Sequence, residues 1–231
     1  MSDTTSADAG TDSATPVISV RPVTLAAANR GQDLQVRVSA PTTGRDLPVV
    51  VFSHGMTLSM DNYAPLAGFC ARVAGADGTP GESMADPRVR AAVLLCLPGI
   101  GGAGLTPFAA EYFSFMSPDF AGMKTPSLIV AGDHDDSPLT VRDPDWFTDG
   151  YRLSPGATDL LTLFGAEHGL GGIQGYNDTR TTDESPARVA VIQRATLAYL
   201  RTALGLDDGA WPAARGTLTA TSDKLGRIDS K

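Results

Sequence analysis

Cysteine and histidine are scarce in this chain of 231 residues, and that scarcity excludes several classes of protein. Two cysteines, Cys70 and Cys96, cannot build a disulfide framework. Both fall in apolar segments, so they are expected to be reduced core thiols of a cytoplasmic protein. The three histidines, His54, His134 and His168, show no His-x-x-x-His spacing, and no cysteine pair accompanies them. Neither a metal nor any other cofactor is therefore expected. No run of Lys or Arg occurs, and the formal net charge is -8, so nothing points to nucleic acid or an anionic membrane as partner. No apolar stretch approaches the ~20 residues that span a bilayer. Residues 1–15 have neither a basic nor an apolar region; they read as a disordered polar arm and not as a secretory signal.

What is present is a globular composition. A hydrophobic content of 42% supplies one sizeable core, expected as a single domain over residues 16–206. VISVRPVTL (17–25) and DLQVRVSAP (33–41) alternate apolar and polar residues, as half-buried strands of an antiparallel pair do. LPVVVFS (47–53) is a continuous apolar run that fits a strand covered on both faces. A helix is expected over 63–74, capped by Asp61 or Asn62, and then a Gly/Pro-rich loop over 75–87. VRAAVLLCLP (89–98), SLIVAG (127–132) and DLLTLFG (159–165) are further strand candidates. A long helix is framed by Ser185 as cap, Pro186 in its first turn and Gly205 at its end. Val189, Ile192, Thr196, Tyr199, Leu200 and Ala203 make its apolar face. Residues 207–231 are polar and weakly patterned, and read as a surface tail. Strands alternating with helices after an antiparallel start predict an α/β fold with a mostly parallel sheet.

Open α/β sheets bind ligands beyond the carboxyl ends of their strands. Three such ends carry polar residues: His54-Gly55-Met56 after 47–53, Gly132-Asp133-His134-Asp135-Asp136 after 127–132, and Gly165-Ala166-Glu167-His168 after 159–165. A carboxylate and an imidazole on successive strand ends can make the orienter and base of a hydrolytic triad. In this order the motifs, with LTPFAAEYF and LFGAEHGLGG around them, resemble the α/β-hydrolase fold family. The nearest flavour is the chlorophyllase-like and dienelactone-hydrolase-like serine esterases, and the likeness covers roughly residues 16–205. It implies Asp135 as triad acid with Asp136 as fallback, His168 as base, and a small-molecule ester as substrate. The backbone N–H of Met56, with Gly55 and His54 beside it, is implied as the oxyanion hole. Asp133 falls too early in the pattern and reads as a turn cap.

The chain departs from that family at the nucleophile. No G-x-S-x-G precedes Asp135. Gly81-Glu82-Ser83-Met84-Ala85 is a loosened form, but no strand leads into it, and Pro80 and Pro87 mark a loop; Ser83 is a poor nucleophile candidate. Cys70 falls within the helix expected over 63–74 and reads as buried, and Cys96 is expected inside a strand, packing and not attacking. Only about 35 residues separate the His54-Gly55 segment from the next strand, room for one helix and a loop. The resemblance therefore implies an internal shortening near 67–74 that removed central strands and the elbow. On that account the chain is an ester hydrolase by descent, or an inactive remnant that at most binds small molecules. Gly99-Ile100-Gly101-Gly102-Ala103-Gly104 spells a dinucleotide fingerprint, yet Thr106-Pro107 delays the helix that must open there. The sequence leaves the oligomeric state open.

Overall fold

The computed structural model describes residues 16–27, 33–45, 49, 51, 88–113, 116, 118–174, 181–220 and 225–231. Most of the expected strand at 47–53, the His54-Gly55-Met56 tip, the helix at 63–74, Cys70 and Ser83 lie outside the described residues. The chain divides into two compact units, Met1–Val49 and Val50–Lys231.

In the first unit the alternating segments form β1 (Val17–Leu25) and β2 (Leu34–Pro41), paired antiparallel with Val17 opposite Pro41 and Leu25 opposite Leu34. The register shifts between Val20 and Val23, where Pro22 cannot donate to the ladder. Ser19 and Ser39 face each other across the pair with their hydroxyls 2.6 Å apart.

The second unit is built on a mixed sheet of four strands in the order β3 (Ala92–Leu95), β4 (Ser127–Gly132), β5 (Ala157–Leu163) and β6 (Gly226–Ser230). The first three run parallel, and β6 closes the edge antiparallel to β5. All six residues of β4 are buried, which is why SLIVAG reads as an unbroken apolar run and not as an alternation. Around the strands pack α1 (Pro107–Tyr112), α2 (Asp149–Leu153), α3 (Pro186–Ala203) and α4 (Ala210–Ala220). In α3 the Ser185 hydroxyl accepts from the Arg188 N–H at 3.3 Å, and Gly205 takes a left-handed φ of 70° beyond its end. Ile192, Thr196 and Tyr199 of the expected face are buried, with Val189, Leu200 and Ala203 at its margin. Each large apolar side chain so buried contributes about 1.5–3 kcal/mol.

The α/β architecture, a mostly parallel sheet with an antiparallel N-terminal pair, is the one expected. Among the described residues no strand falls between β2 and β3 in the chain. The segment 207–231 differs from its reading as a polar tail, because α4 and β6 lie within it. Trp211 explains the helix: it is buried and stands edge-on to Tyr199, ring centroids 5.3 Å apart. A single aromatic anchor does not show in local periodicity, and the five residues of β6 are too few for an alternation to stand out. Among the described residues no helix is long and apolar enough to cross a membrane.

Candidate functional site

The parallel strands deliver their following loops to one edge of the sheet. After β4 the chain turns through Asp133 and His134 into Asp135; after β5 it turns through Phe164 and Gly165 toward His168. The two turns are tied together. The His134 N–H donates to the Ala166 carbonyl at 3.0 Å, and the Gly165 N–H donates to the Asp133 carboxylate at 2.6 Å. Gly132 allows this approach, since a methyl group there would collide with the Ala166 carbonyl oxygen. Gly165 sits at φ 65°, a left-handed turn that disfavours a side chain. Asp133, read as a turn cap, thus bridges two loops, and it also holds the exposed His134 ring through Nδ1 at 2.7 Å.

Within that frame His168 Nδ1 lies 3.0 Å from Asp135 Oδ2 and 3.2 Å from Oδ1. The Asp135 side chain is 0% exposed and the His168 side chain 61% exposed, so a dry carboxylate holds a ring that reaches solvent. Phe147 packs on that ring with centroids 5.6 Å apart. Asp136, the alternative acid, is exposed, and its backbone N–H donates to the His134 carbonyl. The pairing therefore runs to Asp135. A carboxylate on Nδ1 sets the neutral tautomer and the orientation of the ring.

Two residues at this edge were not taken as site residues from the sequence. Asp183 is the first. Its Oδ2 accepts from the Glu167 N–H at 3.0 Å and from the Gly171 N–H at 2.9 Å, clasping the chain on both sides of His168. Arg188 lies 3.6 Å from the same oxygen and donates through Nε to the Phe164 carbonyl at 2.9 Å. Nothing local marks Asp183; its role comes from being brought back to the His168 turn at the start of α3.

Cys96 is the second, and it corrects an expectation. It stands just past β3 and not inside it, in a left-handed conformation with φ 46°. Its N–H donates to the Val130 carbonyl, while its thiol donates to the His168 carbonyl at 3.5 Å. The donor atoms of Cys96, Asp135 and His168 all lie within 4.8 Å of one another. Burial foremost, and then the Asp135 carboxylate, push the Cys96 thiol well above its ordinary range, so it is a protonated donor. The apolar run LLCLP conceals the strand's end, because a turn inside an apolar stretch leaves no polar signal.

Comparison with known proteins finds no matching family model, no matching curated protein and no matching solved structure. An α/β sheet with an Asp–His pair beyond successive strand ends is consistent with a hydrolase-like scaffold. His54, Gly55, Met56 and Ser83 lie outside the described residues. The glycine-rich loop at 99–104 holds a single 3-10 turn at Gly102–Gly104, and α1 opens only at Pro107 with Thr106 as its cap. Gly99 and Gly101 are closely approached by the backbone of Trp146 and Met116, so these glycines serve packing.

Proposed function

We propose that this chain is an ester hydrolase by descent, a shortened member of the α/β-hydrolase fold family over residues 16–206. Its kind is that of the chlorophyllase-like and dienelactone-hydrolase-like esterases. The observation that carries this reading is the hydrogen bond of His168 Nδ1 to the buried Asp135 carboxylate, made by loops after two adjacent parallel strands. In this role Asp135 orients the ring and stabilises its charged form, and proton transfer runs through Nε2. The Met56 N–H, with Gly55 and His54, would steady the oxyanion of a small ester. No cofactor takes part in this chemistry.

The sequence carries no G-x-S-x-G before Asp135, and Ser83 sits in only a loosened form of it. Activity is accordingly weak. In a studied serine protease, loss of the nucleophile costs about 10⁶ in kcat, while the remaining groups retain ~10³ over water. His168 acting on water is the mechanism that these residues support. With p-nitrophenyl esters we expect slow turnover that falls to background in His168→Ala, and no serine labelled by a fluorophosphonate. Turnover that His168→Ala leaves unchanged would remove this assignment. The missing elbow also favours a second reading, an inactive scaffold that binds small esters. Its sign is ester binding with no turnover above background.

A further inference from the structure

We propose that Cys96, Asp135 and His168 form a binding site for a borderline-soft divalent cation of the zinc class, through one sulfur, one oxygen and one imidazole nitrogen. The three donors come from three different strand ends, after β3, β4 and β5, and only the tertiary fold brings them together. Oxygen and nitrogen already stand 3.0 Å apart. Bonds of about 2.0–2.1 Å to a tetrahedral ion place such donors roughly 3.3 Å apart. A sulfur at ~2.3 Å from the ion lies about 3.6 Å from either neighbour. From a spread bounded by 4.8 Å, the sulfur closes by roughly 1 Å at most. The exposed ring of His168 sits on a turn and can supply much of that adjustment.

Two further observations fit a cation better than simple packing. Cys96 holds a left-handed backbone, unfavourable for a residue with a side chain, and its thiol meets the dyad. Strain of this kind gathers where a side chain must be aimed. The Asp135 carboxylate beside that thiol is withdrawn from water, where a positive charge compensates it best. A mixed sulfur, nitrogen and oxygen set selects Zn²⁺ over Mg²⁺ or Ca²⁺. Three protein donors leave a fourth position for water, the pattern of zinc sites that do chemistry. Binding releases the thiol proton to solvent, moves the His168 ring proton from Nδ1 to Nε2 by exchange with water, and breaks the thiol's bond to the His168 carbonyl. It also replaces the His168–Asp135 hydrogen bond, so cation and dyad use the same atoms in turn. The proposal goes beyond the hydrolase reading, and its test reads no turnover.

The full chain, reduced, is titrated with Co²⁺ as a spectroscopic stand-in and then with Zn²⁺. We expect a thiolate-to-cobalt charge-transfer band, intense visible bands of a tetrahedral ion, and loss of both on adding Zn²⁺. Cys70→Ser, which removes the only other thiol, should keep the spectrum. Cys96→Ser should lose the charge-transfer band. Should Cys96→Ser fail to fold, His168→Gln decides, because its ring is exposed; affinity should fall roughly tenfold or more. Absence of the bands in the parent chain overturns the site. So does a spectrum and affinity left unchanged by Cys96→Ser or by His168→Gln.

Discussion

The two ends of the parallel strands handle polar groups in opposite ways. Where β5 begins, Ser154, Thr158, Asp159, Tyr199, Ser230 and Lys231 close their polar groups upon one another or upon backbone. The Thr158 hydroxyl donates to Asp159 at 2.8 Å and lies 3.0 Å from the Tyr199 hydroxyl, while Ser230 donates to the other Asp159 oxygen at 2.6 Å. The Ser154 hydroxyl donates to the Met123 carbonyl and accepts two backbone N–H groups, and the Lys231 ammonium donates to the Ser154 carbonyl. At the opposite end Cys96, Asp135 and His168 converge, and the last of them reaches solvent. Satisfied polar networks specify and stiffen a fold, whereas converging groups with one open to solvent can act on a ligand. The difference separates scaffold from candidate site within one sheet.

The sharpest way to break that contrast is Asp183→Ala. It removes the acceptor that clasps the His168 turn and leaves Arg188 without its carboxylate. Loss of one partner of a buried pair costs about 3 kcal/mol, to be read from the urea midpoint, and the His168–Asp135 pairing should loosen with it. A stability loss under 1 kcal/mol would show that the turn holds itself.

The closed end gives a smaller effect that depends on pH. Burial raises the Tyr199 hydroxyl from its ordinary value of 10 to about 12. A folded-state value above the unfolded one means that the neutral phenol stabilises the fold fully below pH 10. That contribution is lost as pH climbs through about 12, and it amounts to roughly 2 kcal/mol. Denaturant unfolding from pH 9 to 12 should show this slope in the parent chain, and less of it in Tyr199→Phe. Equal slopes in the two proteins would mean that the end is wetter than its contacts imply.

The smallest effect compares neighbours. Asp135→Asn should lower His168-dependent ester turnover by about tenfold or more, while Asp136→Asn leaves it within about twofold. Equal losses would place the orienting charge in the loop as a whole and not in one buried carboxylate.

Much of the scaffold was legible in the residues. The run SLIVAG set β4 because a strand covered on both faces needs no alternation. Ser185, Pro186 and Gly205 framed α3 because caps and breakers act locally. Asp135 and His168 could be nominated because each follows a readable strand. The choice between Asp135 and Asp136 could not be made, since neighbouring loop residues point in different directions and spacing carries no direction. The parts missed or misread share one cause. Cys96, Asp183, Trp211 and β6 owe their positions to partners far along the chain: Asp135 and His168, the His168 turn, Tyr199, and β5.

The residues alone determined the α/β class and the presence of a carboxylate and an imidazole on successive strand tips. Those properties follow from hydrophobic runs, caps and turn chemistry, which act over a few positions. Tertiary packing decided which carboxylate meets the imidazole, that a thiol joins them, and that the last residues complete the sheet. Such meetings depend on the twist and register of whole strands, and no short window of sequence contains that information.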